Sequence, residues 1–114
     1  MSVSSQTRKV VVTGISMISP LGANKVANWN SVIKSSGNAI VRITDPAITS
    51  ISNCKIGGVL TKDVFDPSEY PTSLKFRTSS LAAALAEQAL QDSAMNMESM
   101  SEAELRRTGI VISN

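Results

Sequence analysis

The segment from Lys9 to Gly22 constrains the fold more than any other part of the chain. It begins with Val10–Thr13, a β-branched run that is too short for a helix and is followed by Gly14, so it predicts a buried strand. Pro20-Leu21-Gly22 then turns the chain before a helical pattern begins. A strand that leads through a glycine-containing loop into a helix is typical of α/β proteins.

A first helix is predicted directly after this loop. Asn24 suits the N-cap position, and the helical pattern ends before Gly37, where Gly37-Asn38 turns the chain. The apolar residues of this stretch share one helical face, and Trp29 is expected to pack the helix against the sheet. These residues are Val26, Trp29, Val32 and Ile33.

Two short extended segments follow. Ala39–Ile43 forms the first, and Cys54–Leu60 reads as a strand in which Gly57-Gly58 marks a bulge or a close backbone approach. Residues 61–72 contain Asp66-Pro67 and Tyr70-Pro71 and are therefore predicted to be a connecting segment.

The strongest helical pattern runs from Ser73 to Ser93, where rows of alanine imply the close approach of another backbone. Ser101–Glu104 matches a capping box and predicts one short helical turn. Thr108–Ser113 reads as a second buried strand. Because the chain stops in this strand, we expect it to be the front part of a longer fold, with residues 1–8 as a flexible leader and 9–114 as one domain portion.

Histidine is absent, and Cys54 is the only cysteine among the 114 residues. Catalysis by Cys–His or Ser–His–Asp arrangements therefore has no complete residue set here, and no disulfide can form within the chain. We assign no catalytic, cofactor-binding or metal-binding residue, and we expect no cofactor. No stretch approaches the length of a membrane span, and no apolar signal region follows the start, so a cytoplasmic or mitochondrial location is expected rather than secretion.

Charge is distributed unevenly along the chain. Up to Lys62 there are seven basic residues and one acid, Asp45, whereas from Asp63 onward there are eight acids and four bases. A basic half can attract an acidic partner such as nucleic acid or a carrier protein. The charges are single and scattered, without an arginine or lysine cluster, so we interpret them as a solvated surface and expect no binding of nucleic acid.

A dinucleotide-binding loop is a distant alternative for the opening segment, because Val-Thr-Gly after a valine-rich strand is similar to short-chain dehydrogenases. Such a loop needs glycines that let the backbone approach a pyrophosphate. Here Met17, Ile18 and Pro20 occupy those positions. Ala39–Ile43 also carries only Arg42 as a charged residue, where an acidic residue would be needed to hold the ribose.

The opening segment Val10–Gly22 resembles the N-terminal signature of β-ketoacyl-acyl-carrier-protein synthases, the condensing enzymes of fatty-acid synthesis. The resemblance spans Arg8 to Asn114. The Ile51–Leu60 region and the Ser/Thr-rich linkers resemble the mitochondrial synthase more than the bacterial type II enzymes. Further segments carry the match: Trp29, Ser36-Gly37, Ile43, Cys54–Leu60, Phe65–Tyr70, Leu81–Ser93 and Arg107–Ser113.

This resemblance implies the first part of a thiolase-like fold, with αβαβα layers, that is incomplete in this chain. It implies a homodimer at full length, whose partners are acyl carrier protein and the acyl and malonyl thioesters. Family members condense an acyl group held on a cysteine thiolate with malonyl-carrier protein, assisted by two histidines. Those three residues follow the Gly109–Ser113 strand in the family. Cys54 precedes the alanine-rich helix and is interpreted as a buried or edge-strand structural cysteine.

Two functional hypotheses stay open at this point. The chain is either the N-terminal portion of such an acyltransferase, inactive by itself, or a natural non-catalytic fragment that binds a synthase subunit or a carrier protein. Whether it is itself an enzyme, its acyl chain-length preference and its compartment do not follow from the sequence.

Overall fold

A computed structural model describes residues 7–35, 39–71 and 76–113. In this part of the chain the helices are α1 (Lys25–Ile33), α2 (Pro46–Thr49), α3 (Arg77–Asp92) and α4 (Glu102–Leu105), and the strands are β1 (Ile40–Arg42) and β2 (Ile56–Gly58). Single 3₁₀ turns form at Pro67–Glu69 and Met97–Ser99. Most of the predicted leader, the turn at Gly37-Asn38 and the predicted helix start at Ser73 lie outside the described residues.

Helix α1 begins where the sequence predicts it. The Asn24 side chain accepts a hydrogen bond from the backbone N–H of Ala27 at 2.9 Å, which satisfies one of the free donors of the first turn. The helix ends at Ile33, and Lys34 is its C-cap. The predicted N-cap is therefore confirmed.

Strands β1 and β2 pair antiparallel as a hairpin, with Ile40 opposite Gly58 and Arg42 opposite Ile56. Both lie within the predicted extended segments but are shorter. The one-to-one register leaves no bulge at the two glycines. They mark a close approach instead, because a Cβ on Gly58 would lie 3.0 Å from Cγ of Pro20.

Helix α3 packs on the connecting segment around a small core. Phe65, Ser80 and Ala84 are buried, and the Phe65 ring lies 5.8 Å from that of Tyr70 between ring centroids. The Arg77 guanidinium donates to the carbonyl of Leu60 at 2.7 Å, which ties the start of α3 to the same segment. The predicted connecting segment is thus the surface on which the alanine-rich helix docks.

The predicted capping box of α4 is present in full. The Ser101 hydroxyl accepts from the N–H of Glu104 at 3.3 Å, and the Glu104 carboxylate accepts from the N–H of Ser101 at 2.8 Å. The sequence pattern alone located this helix start.

The two strands predicted at the ends of the domain are wrong for this structure. Residues 10–13, here called the N-terminal segment, and residues 109–113, the C-terminal segment, belong to no strand and make no backbone hydrogen bond to another described residue. A strand requires a neighbour for its N–H and C=O groups, and neither segment has one here. Their side chains are exposed, reaching 96% for Val10 and 98% for Val111.

The molecule is accordingly extended. Its radius of gyration is 19.3 Å, against about 13 Å for a compact domain of this length. Helices and strands are both present, in agreement with an α/β chain, but the only sheet among the described residues is the β1–β2 hairpin. None of the described helices combines the length and hydropathy that crossing a membrane requires.

Candidate interaction surface

The loop between the N-terminal segment and α1 is held on the C-terminal half of α3. Gly14 lies so close to that helix that a Cβ on it would be 2.3 Å from the carbonyl oxygen of Ala89. At the other end of the loop, the side-chain amide of Gln88 donates to the carbonyl of Ala23 at 2.9 Å. Only glycine fits at position 14, because backbone atoms cannot move aside for a side chain.

Asp92 joins three parts of the chain. Its carboxylate accepts a hydrogen bond from the backbone N–H of Ile15 at 2.9 Å and forms an ion pair with Lys25. The Lys25 ammonium, followed by the Ile15 N–H, lowers the pKa of Asp92 from its usual value, because both favour the charged carboxylate. The carboxylate thereby fixes the loop, α1 and α3 to one another.

The buried side chain of Asn28 forms hydrogen bonds with the loop. Its buried side-chain amide donates to the carbonyls of Gly22 and Asn24, both at 2.8 Å, and its carbonyl accepts from the hydroxyl of Ser19. A buried amide that satisfies its donors and its acceptor rigidifies the backbone around it. The turn predicted at residues 20–22 is therefore fixed to α1.

Three backbone N–H groups of this loop already donate hydrogen bonds within the protein. The N–H of Ile15 is bound to Asp92, that of Leu21 to the Ser19 hydroxyl, and that of Gly22 to the Ser19 carbonyl. A pyrophosphate cradle requires such amides to be free and to point at the ligand. The loop is built as scaffold, which agrees with the interpretation drawn from Pro20.

Beside this loop lies an open apolar groove of about 570 Å³. Trp29 is 64% exposed there, so its predicted role as an anchor of the helix on a sheet is wrong for this structure. The cause is the unpaired N-terminal segment, which provides no sheet for α1 to cover. The apolar lining consists of Ile15, Met17, Leu21, Val26, Trp29 and Val32.

A second groove, of about 440 Å³, separates α3 from the C-terminal segment. Ile110 and Ile112 face the small side chains of the helix across it, while Val111 is almost fully exposed. Ala82 and Ala86 on this side belong to the alanine rows from which the sequence predicts a close neighbour. The helix side of the groove is lined by Thr78, Ser79, Ala82, Ala83 and Ala86.

Comparison with known protein families identifies the family to which the opening segment and the helices belong. Residues 7–114 match the model of the β-ketoacyl synthase N-terminal domain. The chain belongs to the β-ketoacyl synthase family. Comparisons with curated proteins and with solved structures gave no match.

Membership of the β-ketoacyl synthase family implies a thiolase-like fold and a condensing enzyme of fatty-acid synthesis as the context of this chain. It confirms the resemblance drawn from the opening segment and the alanine-rich helix. The resemblance to the mitochondrial branch stays a prediction.

Within this β-ketoacyl synthase portion, Cys54 lies in an irregular segment two residues before β2. The thiol is exposed, and Sγ donates weakly to the carbonyl of Ile56 at 3.2 Å. Cys54 is therefore neither buried nor part of a strand, and the prediction of a buried or edge-strand cysteine is wrong. Cys54 also does not begin a described helix, the position at which a dipole would favour a thiolate.

No group of His, Cys, Asp or Glu side chains suited to a metal ion occurs within residues 7–35, 39–71 and 76–113. The residues that shape the synthase portion are instead Asn28, Gln88 and Asp92, none of which the sequence singled out. Asn28 and Gln88 carry no local pattern, because an amide inside a helix usually faces solvent. Only one feature of the sequence pointed to Asp92, its position as an acidic residue at the end of the alanine-rich helix.

Proposed function

We propose that this chain supplies the first part of the layered thiolase-like domain of a β-ketoacyl-acyl-carrier-protein synthase. The complete enzyme extends an acyl thioester by decarboxylative condensation with malonyl-carrier protein. The observation that carries the proposal is the family match over residues 7–114. The catalytic cysteine and two histidines of the family come from beyond the portion that this chain represents.

The structure supports a scaffolding role for this portion. Asp92, Asn28 and Gln88 fix the loop that follows the N-terminal segment, while the apolar face of α1 is left uncovered. In a complete thiolase-like domain, such a face is covered by a sheet, and the N-terminal and C-terminal segments are strands of it. The full-length enzyme is then a homodimer that receives its acyl and malonyl groups from acyl carrier protein.

A chimera tests this function. In it, the N-terminal stretch of an active β-ketoacyl-acyl-carrier-protein synthase is replaced by residues 7–114, and release of carbon dioxide from malonyl-carrier protein is measured. We expect condensing activity that disappears when the catalytic cysteine of the host is replaced. A chimera that folds and dimerises but condenses nothing would contradict the proposal.

The chain by itself is proposed to be inactive. It contains no histidine, and its single thiol, Cys54, lies in an irregular segment and does not begin a described helix. Incubation with acyl-carrier protein should leave its mass of 12.1 kDa unchanged. A stable acyl adduct on Cys54 would refute this part, and Cys54→Ser is the matched control.

The alternative function, a non-catalytic fragment that binds a synthase subunit or a carrier protein, is favoured by one observation. The exposed N-terminal and C-terminal segments offer free backbone groups to another sheet. Titration of the chain into an intact synthase separates the two functions, because only the alternative predicts a stable complex with an enzyme that is already complete.

A further inference from the structure

We draw no further inference here: the strongest candidate, the open apolar groove of about 570 Å³ between the opening loop and the Trp29 face of α1, carries nothing beyond the proposed function, because nothing in the structure shows what covers it.

Discussion

The Asp92 carboxylate, on the last turn of α3, accepts a hydrogen bond from the backbone N–H of Ile15 at 2.9 Å. The two residues are 77 positions apart in sequence. Lys25 approaches the second carboxylate oxygen, so one side chain joins the opening loop, α1 and α3. The sequence of the loop predicts its turn but not its position, which this non-local contact fixes.

Asp92→Asn should lower the midpoint of thermal unfolding at neutral pH, because a neutral amide loses the attraction to Lys25. The pKa of this carboxyl is lowered in the folded chain. Its stabilisation is therefore present above the unfolded pKa of about 4 and is lost as the pH falls through the lower folded pKa.

Denaturation of the parent and of Asp92→Asn from about pH 7 down to about pH 2 checks this prediction. The two curves should converge in acid, and Glu98→Gln, an exposed change, should follow the parent throughout. A difference between parent and Asp92→Asn that stays constant across the whole range would show that the charge is irrelevant.

Gly14→Ala should destabilise the chain by about 1–3 kcal/mol, the usual cost of forcing extra atoms into a packed contact. The new Cβ would meet the Ala89 carbonyl at 2.3 Å and Cβ of Ser93 at 2.9 Å. Gly109→Ala is the matched control, because nothing lies within 4 Å of its Cβ position. Urea unfolding at one protein concentration measures both; equal midpoints would disprove the close approach of Gly14 to α3.

Asn28→Ala should cost about 1–3 kcal/mol, because it removes the side-chain hydrogen bonds to the carbonyls of Gly22 and Asn24 and the acceptor of the Ser19 hydroxyl. Asn30→Ala, on the exposed side of the same helix, should change stability by less than about 0.5 kcal/mol. Both are measured by urea unfolding at a fixed concentration. If the two asparagines behave alike, the buried amide does not organise the loop.

Local signals in the sequence located most of the elements. The Asn24 N-cap, the Ser101–Glu104 capping box and the β1–β2 hairpin all occur within the predicted segments. These features depend on hydrogen bonds between residues a few positions apart, or on a strand pair joined by one connection. A sequence pattern is therefore sufficient to predict where such features occur.

The strands predicted at Val10–Thr13 and Thr108–Ser113 require a pairing strand, and a local sequence pattern does not show whether one is present. Their composition predicts buried strands, but a strand requires a hydrogen-bonding neighbour, and neither segment pairs with another in the described part of the chain. The predicted packing of Trp29 against a sheet was wrong for the same reason, because no sheet of the described residues covers this face of α1. Asp92 and Asn28 were missed because their roles arise only when distant segments meet, as α3 and the opening loop do here.

The chain contains two phenylalanines, Phe65 and Phe76, that lie in opposite environments. Phe65 is 5% exposed and packs near Tyr70, whereas Phe76 is 71% exposed at the start of α3. Phe65→Ala should destabilise the core by about 3–5 kcal/mol, and Phe65→Leu, which keeps most of the volume, by less than about 1.5 kcal/mol. Phe76→Ala should stay within about 0.5 kcal/mol of the parent.

Amide hydrogen exchange along α3 distinguishes these variants even where unfolding is broad. Loss of the Phe65 ring should speed exchange at Ser80 and Ala84, whose positions on the helix face the buried core, while Phe76→Ala should leave it unchanged. Equal exchange in Phe65→Ala and Phe76→Ala would show that α3 does not depend on the connecting segment for its stability.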